Sequence, residues 1–222
     1  MITVHHLNNS RSQRVLWLLE ELELPYEIKR YARDPVTQFA PASLRQIHPL
    51  GKSPVISDGN LNLAESGLIV EYLTSTYSAG KLMPAADSPN HWPCKYWLHY
   101  AEGSLMPYLV MKLVFDKIKT APMPFFIRPV AQGIVAEVHK TFLGPNIQTH
   151  MDYVEAHLSQ NAWFAGDEIS AADFQMLFPL EAGGARAALD GHYPHIRAYI
   201  QKAQARPAYQ RALETGGPYA YA

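Results

Sequence analysis

The sequence predicts an α/β domain built on a mixed four-stranded sheet, followed by an all-α helical bundle. Three observations predict it. Short β-branched or alternating runs interleave with helical spacing through the first eighty residues, a stretch rich in Ser, Ala, Gly, Pro and Asp follows, and the rest carries helical runs without alternating strands. At 222 residues and 48% apolar, the chain has ample material for real cores.

Ile2 to Leu7 reads as a β-branched strand that ends in the turn-prone Asn8-Asn9-Ser10. A helix is predicted from Ser12 to Leu24, because Val15, Leu18, Leu19 and Leu22 recur at helical spacing while Arg14, Glu20, Glu21 and Glu23 are polar. Pro25 stops it. Tyr26 to Tyr31 alternates as a second strand, and Ser43 to Ile47 is a short helix closed by His48-Pro49-Leu50-Gly51. Val55 to Ser57 and Leu61 to Leu63 flank Asp58-Gly59, a hairpin signal, and Ser66 to Tyr77 returns to helical spacing. A parallel crossover for the first unit and an antiparallel hairpin for the last give the mixed sheet. We place the first domain at residues 1–80, a linker at 81–89 and the helical domain at 90–222. Its helices are predicted at Trp92 to Lys119, Pro124 to Phe142, Asn146 to Leu158, Ala171 to Leu189 and His195 to Leu213, with an irregular tail from Gly216.

Composition excludes several functions. Nineteen Lys and Arg stand against twenty Asp and Glu, with no basic run, so the field needed to hold a nucleic acid is missing. The N-terminus lacks a basic then apolar leader, and nothing approaches the ~18 apolar residues of a membrane span. A cytoplasmic protein with no membrane partner is expected. The single cysteine, Cys94, excludes an internal disulfide and a CxxC pair and reads as a packing residue. No metal is expected, because His5 and His6 face opposite sides of a strand and His150 and His157 have no third ligand nearby.

Three short signals carry the chemistry: Asn9-Ser10-Arg11-Ser12 opening a helix, Ser53-Pro54-Val55-Ile56 opening a strand, and Glu65-Ser66 opening another helix. Ser10 sits where strand meets helix, so its hydroxyl shares a site with exposed amides and the positive end of the helix dipole. A thiolate is stabilised there. A free thiol of pKa ~8.5 is only about 3% ionised at pH 7, and lowering that pKa by about two units takes roughly 2.7 kcal/mol, the order of one charge-assisted hydrogen bond plus the dipole. Ser10 also reads as an ordinary N-cap, and Ser12 is the rival hydroxyl one step inside the helix. The residue before Pro54 is held extended, where a bound peptide can pair like an added strand. Ser66 offers an anion site and Glu65 meets an ammonium. Lys52 is placed to meet a carboxylate, or is simply solvated.

Together these residues resemble the glutathione-binding half of the glutathione transferases, and the strand and helix order is similar to the thioredoxin-like arrangement. The resemblance spans both halves of the chain and is nearest to a bacterial and fungal branch with Asn-Ser-Arg-Ser at the first helix, His48-Pro49-Leu50-Gly51-Lys52-Ser53-Pro54 before the third strand, and Glu102-Gly103-Ser104-Leu105 in a later helix. It implies that Ser10 contacts the glutathione sulfur and that Pro54 follows a cis bond. It further implies that Ser53 pairs through its backbone with the cysteinyl unit, and that Glu65 and Ser66 hold the γ-glutamyl group. Many transferases carry an aliphatic residue where this chain has Ser53. Ile169-Ser170-Ala171-Ala172-Asp173-Phe174 resembles the family's structural helix cap, with Ser170 and Asp173 reciprocal and Ile169 stapled to Phe174. A homodimer is implied, as is reduced glutathione as co-substrate with no further cofactor.

The electrophile is expected between the domains, against Met106, Tyr108, Met111 and Phe115, whose apolar, polarizable stripe suits a promiscuous pocket and reads equally as core. The implied activity is conjugation of glutathione to hydrophobic electrophiles. A peroxidase or isomerase on the same site, and a non-catalytic binding protein of the same fold, are the alternatives.

Overall fold

The computed structural model describes residues 1–37, 39–185 and 193–221. Its sheet domain runs β1 (Ile2–Leu7), α1 (Ser12–Glu21), β2 (Tyr26–Tyr31), α2 (Ala42–Arg45), β3 (Val55–Asp58), β4 (Leu61–Ala64) and α3 (Ser66–Tyr77). The strand order is β2-β1-β3-β4. β1 pairs parallel with β2, from Ile2 opposite Tyr26 to Leu7 opposite Tyr31, and antiparallel with β3, which pairs antiparallel with β4. The mixed sheet predicted from the hairpin and crossover signals is the one observed.

The helical domain follows as α4 (His91–Tyr100), α5 (Met106–Thr120), α6 (Arg128–Val138), α7 (Gly144–Leu158), α8 (Ala171–Ala185), α9 (Pro194–Gln204) and α10 (Pro207–Gly216). No helix among the described residues is long and apolar enough to cross a membrane.

Several helix limits differ from those the sequence predicts. α1 ends at Glu21 rather than Leu24, because Glu23 turns left-handed (φ 53°) and Leu24 N–H reaches back to the Leu19 carbonyl at 3.1 Å, a closing turn. The predicted break between Phe142 and Asn146 is absent. There a π-helical turn, His139–Leu143, joins α6 to α7, Gly144 N–H donating to the His139 carbonyl five residues back. A Cβ on Gly144 would stand 2.7 Å from that oxygen, so glycine is required. The widened turn accommodates the missing N–H of Pro145, and a second one, Ala101–Leu105, does the same before Pro107. Conversely, the single helix predicted from His195 to Leu213 is two, broken where Arg206 is extended (ψ 135°) ahead of Pro207. Residues 186–189 of the helix predicted to Leu189 lie outside the described residues.

α1 positions the site, and it is buried on every side from Ser12 to Leu19. Trp17 packs between Phe174 of α8 and Tyr209 of α10, with ring centroids 4.4 and 5.7 Å away. The sheet domain therefore completes its core only against the helical domain. At the start of α8, Asp173 is fully buried, and its carboxylate accepts the Ser170 N–H (2.8 Å), the Ser170 hydroxyl (3.0 Å), the Phe164 N–H (3.0 Å) and the Tyr199 hydroxyl (3.2 Å). The cap is one-sided rather than reciprocal, since the Ser170 hydroxyl donates to the carboxylate and Asp173 N–H donates to the Ser170 carbonyl (3.0 Å).

Candidate active site

The first βα turn presents Ser10. Asn9 adopts a left-handed conformation (φ 49°), which asparagine tolerates, and turns the chain into α1. Ser10 Oγ accepts the Ser12 N–H at 3.2 Å and lies 2.8 Å from the Ser12 hydroxyl. Ser12 Oγ in turn lies 2.9 Å from His6 Nδ1. Burial, then the nearby Arg30, pushes the His6 imidazole down to about 4, so it is neutral at pH 7. Of the two rival hydroxyls, Ser10 lines an open cavity while Ser12 is wholly buried behind it.

The second signal meets the first. Ser53 Oγ donates to the His5 carbonyl (3.0 Å) and lies 3.4 Å from Ser10 Oγ, and the Ser53-Pro54 bond is cis. Just upstream, Gly51 has φ 56°, and the Arg45 stem lies 2.7 Å from where a Cβ would stand. Only glycine meets both conditions.

The third signal is tied to both domains. Ser66 Oγ accepts Arg14 Nη1 (3.1 Å) and Gln175 Nε2 (3.0 Å). Arg14 Nη1 also reaches Glu102 (2.9 Å), whose two oxygens accept Arg11 Nε at 2.8 and 2.9 Å. Burial pulls the Glu102 carboxyl up, but Arg14 and Arg11 outweigh it and hold it below its ordinary range. Glu65, exposed with φ 71°, stands at the mouth of α3. Sequence reasoning missed Arg14 and Gln175 as members of this group. Arg14 lies on the polar side of the α1 pattern, and only the tertiary fold shows that side covered.

Two adjoining cavities open on these residues. One, of about 710 Å³, is lined by Ser10, Ser53, Met106, Val110 and Phe178 among others; the second, of about 840 Å³, by Pro54, Glu65, Ser66, Glu102 and Gln175. Lys52 and Ser53 border both. The chain's tail closes the first, because Ala220 N–H donates to Asn9 Oδ1 (2.8 Å), the Tyr219 hydroxyl donates to Glu181 (2.8 Å), and Tyr221 joins the wall edge-on to Phe178.

The four residues of the expected electrophile stripe are not brought together. Met106 faces Ser10's cavity with Val110 and Leu113, whereas Tyr108 and Met111 line a separate cavity of about 420 Å³ with Phe142 and His150. Phe115 packs on the core, edge-on to His139. At about 100° per residue, Tyr108 and Phe115 point roughly opposite to Met106 around α5, so one helix face cannot hold all four. Val110, Leu113 and Phe178 are apolar wall residues the sequence did not single out. Among the described residues no cluster of three metal-ligating side chains occurs.

Comparisons with known proteins bear on the family and the fold. The family model for the glutathione S-transferase N-terminal domain matches residues 1–75, and that for the C-terminal domain matches 126–215. Glutathione S-transferase 3 of Schizosaccharomyces pombe is 36% identical over 214 residues, covering 96% of this chain and 87% of its own. Glutathione S-transferase 1 of Saccharomyces cerevisiae is 33% identical over 222 residues, covering 96% and 94%. Among solved structures, a glutathione S-transferase from Actinobacillus pleuropneumoniae superposes with a TM-score of 0.79 at 32% identity, over 99% of this chain and 94% of that one. With both halves matched and the sheet and helical layers in the same order, the chain belongs to the glutathione S-transferase family.

Proposed function

We propose that this glutathione transferase activates the thiol of reduced glutathione with the Ser10 hydroxyl and adds it to a hydrophobic electrophile. The observation that carries the assignment is the position of Ser10. Its hydroxyl stands on a cavity wall at the mouth of α1, its oxygen already accepting the Ser12 N–H, beside Ser53. A hydroxyl polarised in this way donates to a sulfur anion, and the α1 amides add their field. Ser53 pairs with the cysteinyl unit, Lys52 meets the glycyl carboxylate, and Glu65 and Ser66 hold the γ-glutamyl ammonium and carboxylate. The electrophile lies against Met106, Val110, Leu113 and Phe178. In the reaction the C–S bond forms from the thiolate pair, the displaced group leaves with its own pair, and the thiol proton passes to solvent.

Calorimetric titration with reduced glutathione tests the site, with one saturable event per subunit expected. Ser10→Ala is expected to lower turnover about 100-fold while sparing glutathione affinity, the size of one lost donor to a developing charge. Full turnover in that variant would reject the Ser10 assignment and move it to Ser12 or Asn9.

A homodimer in the cytoplasm completes the reading. Exposed Leu68, Trp92, Tyr96 and Tyr153 leave apolar surface for a second copy to cover. A sedimentation mass near 24.9 kDa, that of one chain, would contradict the dimer.

A further inference from the structure

The wall of the Ser10 cavity carries five basic side chains, Arg11, Arg33, Arg45, Lys52 and Lys117, and no acidic one among the described residues. The chain as a whole is close to balanced, so the cations are concentrated at one place. Arg11 is offset by Glu102. Lys52 and Arg45 stand at the Ser53 end, Arg45 with its stem against Gly51, where the glycyl carboxylate of glutathione is assigned. Lys117 is left at the other end. It shares the α5 face of Met106, Val110 and Leu113, since eleven residues bring it back to within about 20° of Met106 and roughly 16 Å along the axis. On the opposite side of the same helix Lys112 is paired with Asp116 at 2.7 Å, whereas Lys117 is exposed and makes no ion pair among the described residues. Arg33, from the segment after β2, lines the same cavity.

An apolar wall that ends in cations suits a ligand with an apolar body and an anionic end. We propose that the preferred electrophiles of this transferase are amphiphilic anions, carboxylates or sulfonates whose charged end meets Lys117 and Arg33 while the reacting carbon faces Ser10. This rests on the transferase reading above and names its second substrate class.

The test compares the 4-chloro-3,5-dinitrobenzoyl amide of 6-aminohexanoate, whose flexible arm carries the charge away from the ring toward Lys117, with its methyl ester, which has the same reacting carbon and no charge. In each, the glutathione sulfur bonds to C4 and chloride leaves with the C–Cl pair. kcat/KM, divided by the uncatalysed rate with glutathione, is expected to favour the carboxylate about tenfold in dilute buffer and to approach parity at about 1 M salt, where the Debye length is near 3 Å. Lys117→Met is expected to shrink the carboxylate-to-ester ratio, and Lys117→Glu to lower it by about tenfold or more. A ratio near one in the parent enzyme, or a ratio unmoved by Lys117→Glu while the KM for glutathione rises, overturns the proposal and assigns the cations to glutathione alone. Turnover of neither compound together with no glutathione binding would remove the transferase reading, and this inference with it.

Discussion

Ser10 and Ser66 each open a helix beside the cavities, yet their hydroxyls are held in opposite ways. Ser66 Oγ accepts from a guanidinium and an amide, groups that can only donate at those positions, so its own hydrogen is left to donate outward. Ser10 Oγ accepts a backbone N–H and faces the Ser12 hydroxyl, which can donate or accept, and the Ser53 hydroxyl, which gives its hydrogen to the His5 carbonyl and can only accept at 3.4 Å, so the Ser10 hydrogen has more than one acceptor within reach. The supports differ in charge too. Behind Ser66 stands Arg14, buried and ion-paired, and behind Ser10, through Ser12, stands a neutral imidazole. On the proposed reading, Ser66 is a fixed donor for a permanent charge, and Ser10 follows a charge that appears during the reaction.

Ser170, at a third helix mouth, marks what the same residue type does with no cavity to serve. Its hydroxyl donates into the buried Asp173 carboxylate, which burial pushes up to about 6. Asp173→Ala strands its four donors and is expected to cost about 3–5 kcal/mol in denaturant unfolding, with the glutathione affinity of the folded fraction unchanged. A loss below about 1 kcal/mol would remove the purely structural reading of that mouth. Ser66→Ala is expected to weaken glutathione binding about tenfold by calorimetry, roughly 1.4 kcal/mol, and to change turnover at saturation little. The reverse pattern, lost turnover with unchanged affinity, would erase the distinction from Ser10.

The effect smallest at neutral pH, and confined to acid, concerns His6. Its folded pKa of about 4 lies below the ordinary value of 6.5, so between those limits the unfolded chain binds more protons and stability is lost as pH falls through that window. Asp173, raised from 3.8 to about 6, acts in the opposite sense, gaining stability as pH falls from about 6 to 4. The two partly cancel in the parent protein. His6→Gln removes one side of that balance, so the melting temperature of the variant is expected to rise relative to the parent between pH 6.5 and 4. Parallel pH curves would mean that the imidazole is not held neutral.

Much of the fold was legible in the chain because its signals are local. β-branched runs, Asp58-Gly59 and the spacing of Ile69 and Leu73 each report on their own neighbourhood, and the mixed parallel and antiparallel character of the sheet followed from them, though not its strand order. Ser10, Ser53 and Ser66 also sit at element ends, but it is the family resemblance that singles them out together. What escaped is relational. Periodicity identifies the apolar stripe of α5 but not its rotation about the axis, so Met106 and Tyr108 could not be separated until a wall was put against one of them. Pro145 reads as a break because the compensating wide turn depends on a glycine and on the helices on either side. Arg14 reads as solvent-facing because its covering helices lie far along the chain. The tail reads as irregular, and is, but Tyr219 and Tyr221 nonetheless fix it to the site.

The all-round burial of α1 bears on how such a protein comes apart. Val15, Leu16, Trp17, Leu18 and Leu19 are each fully buried, and α8 and α10 supply part of that cover. A chain severed in the linker would bare that surface on one piece and its complement on the other, leaving each fragment with a cost far larger than a connecting loop is worth. The two halves are separate layers of architecture, and the burial of α1 between them predicts that they unfold together.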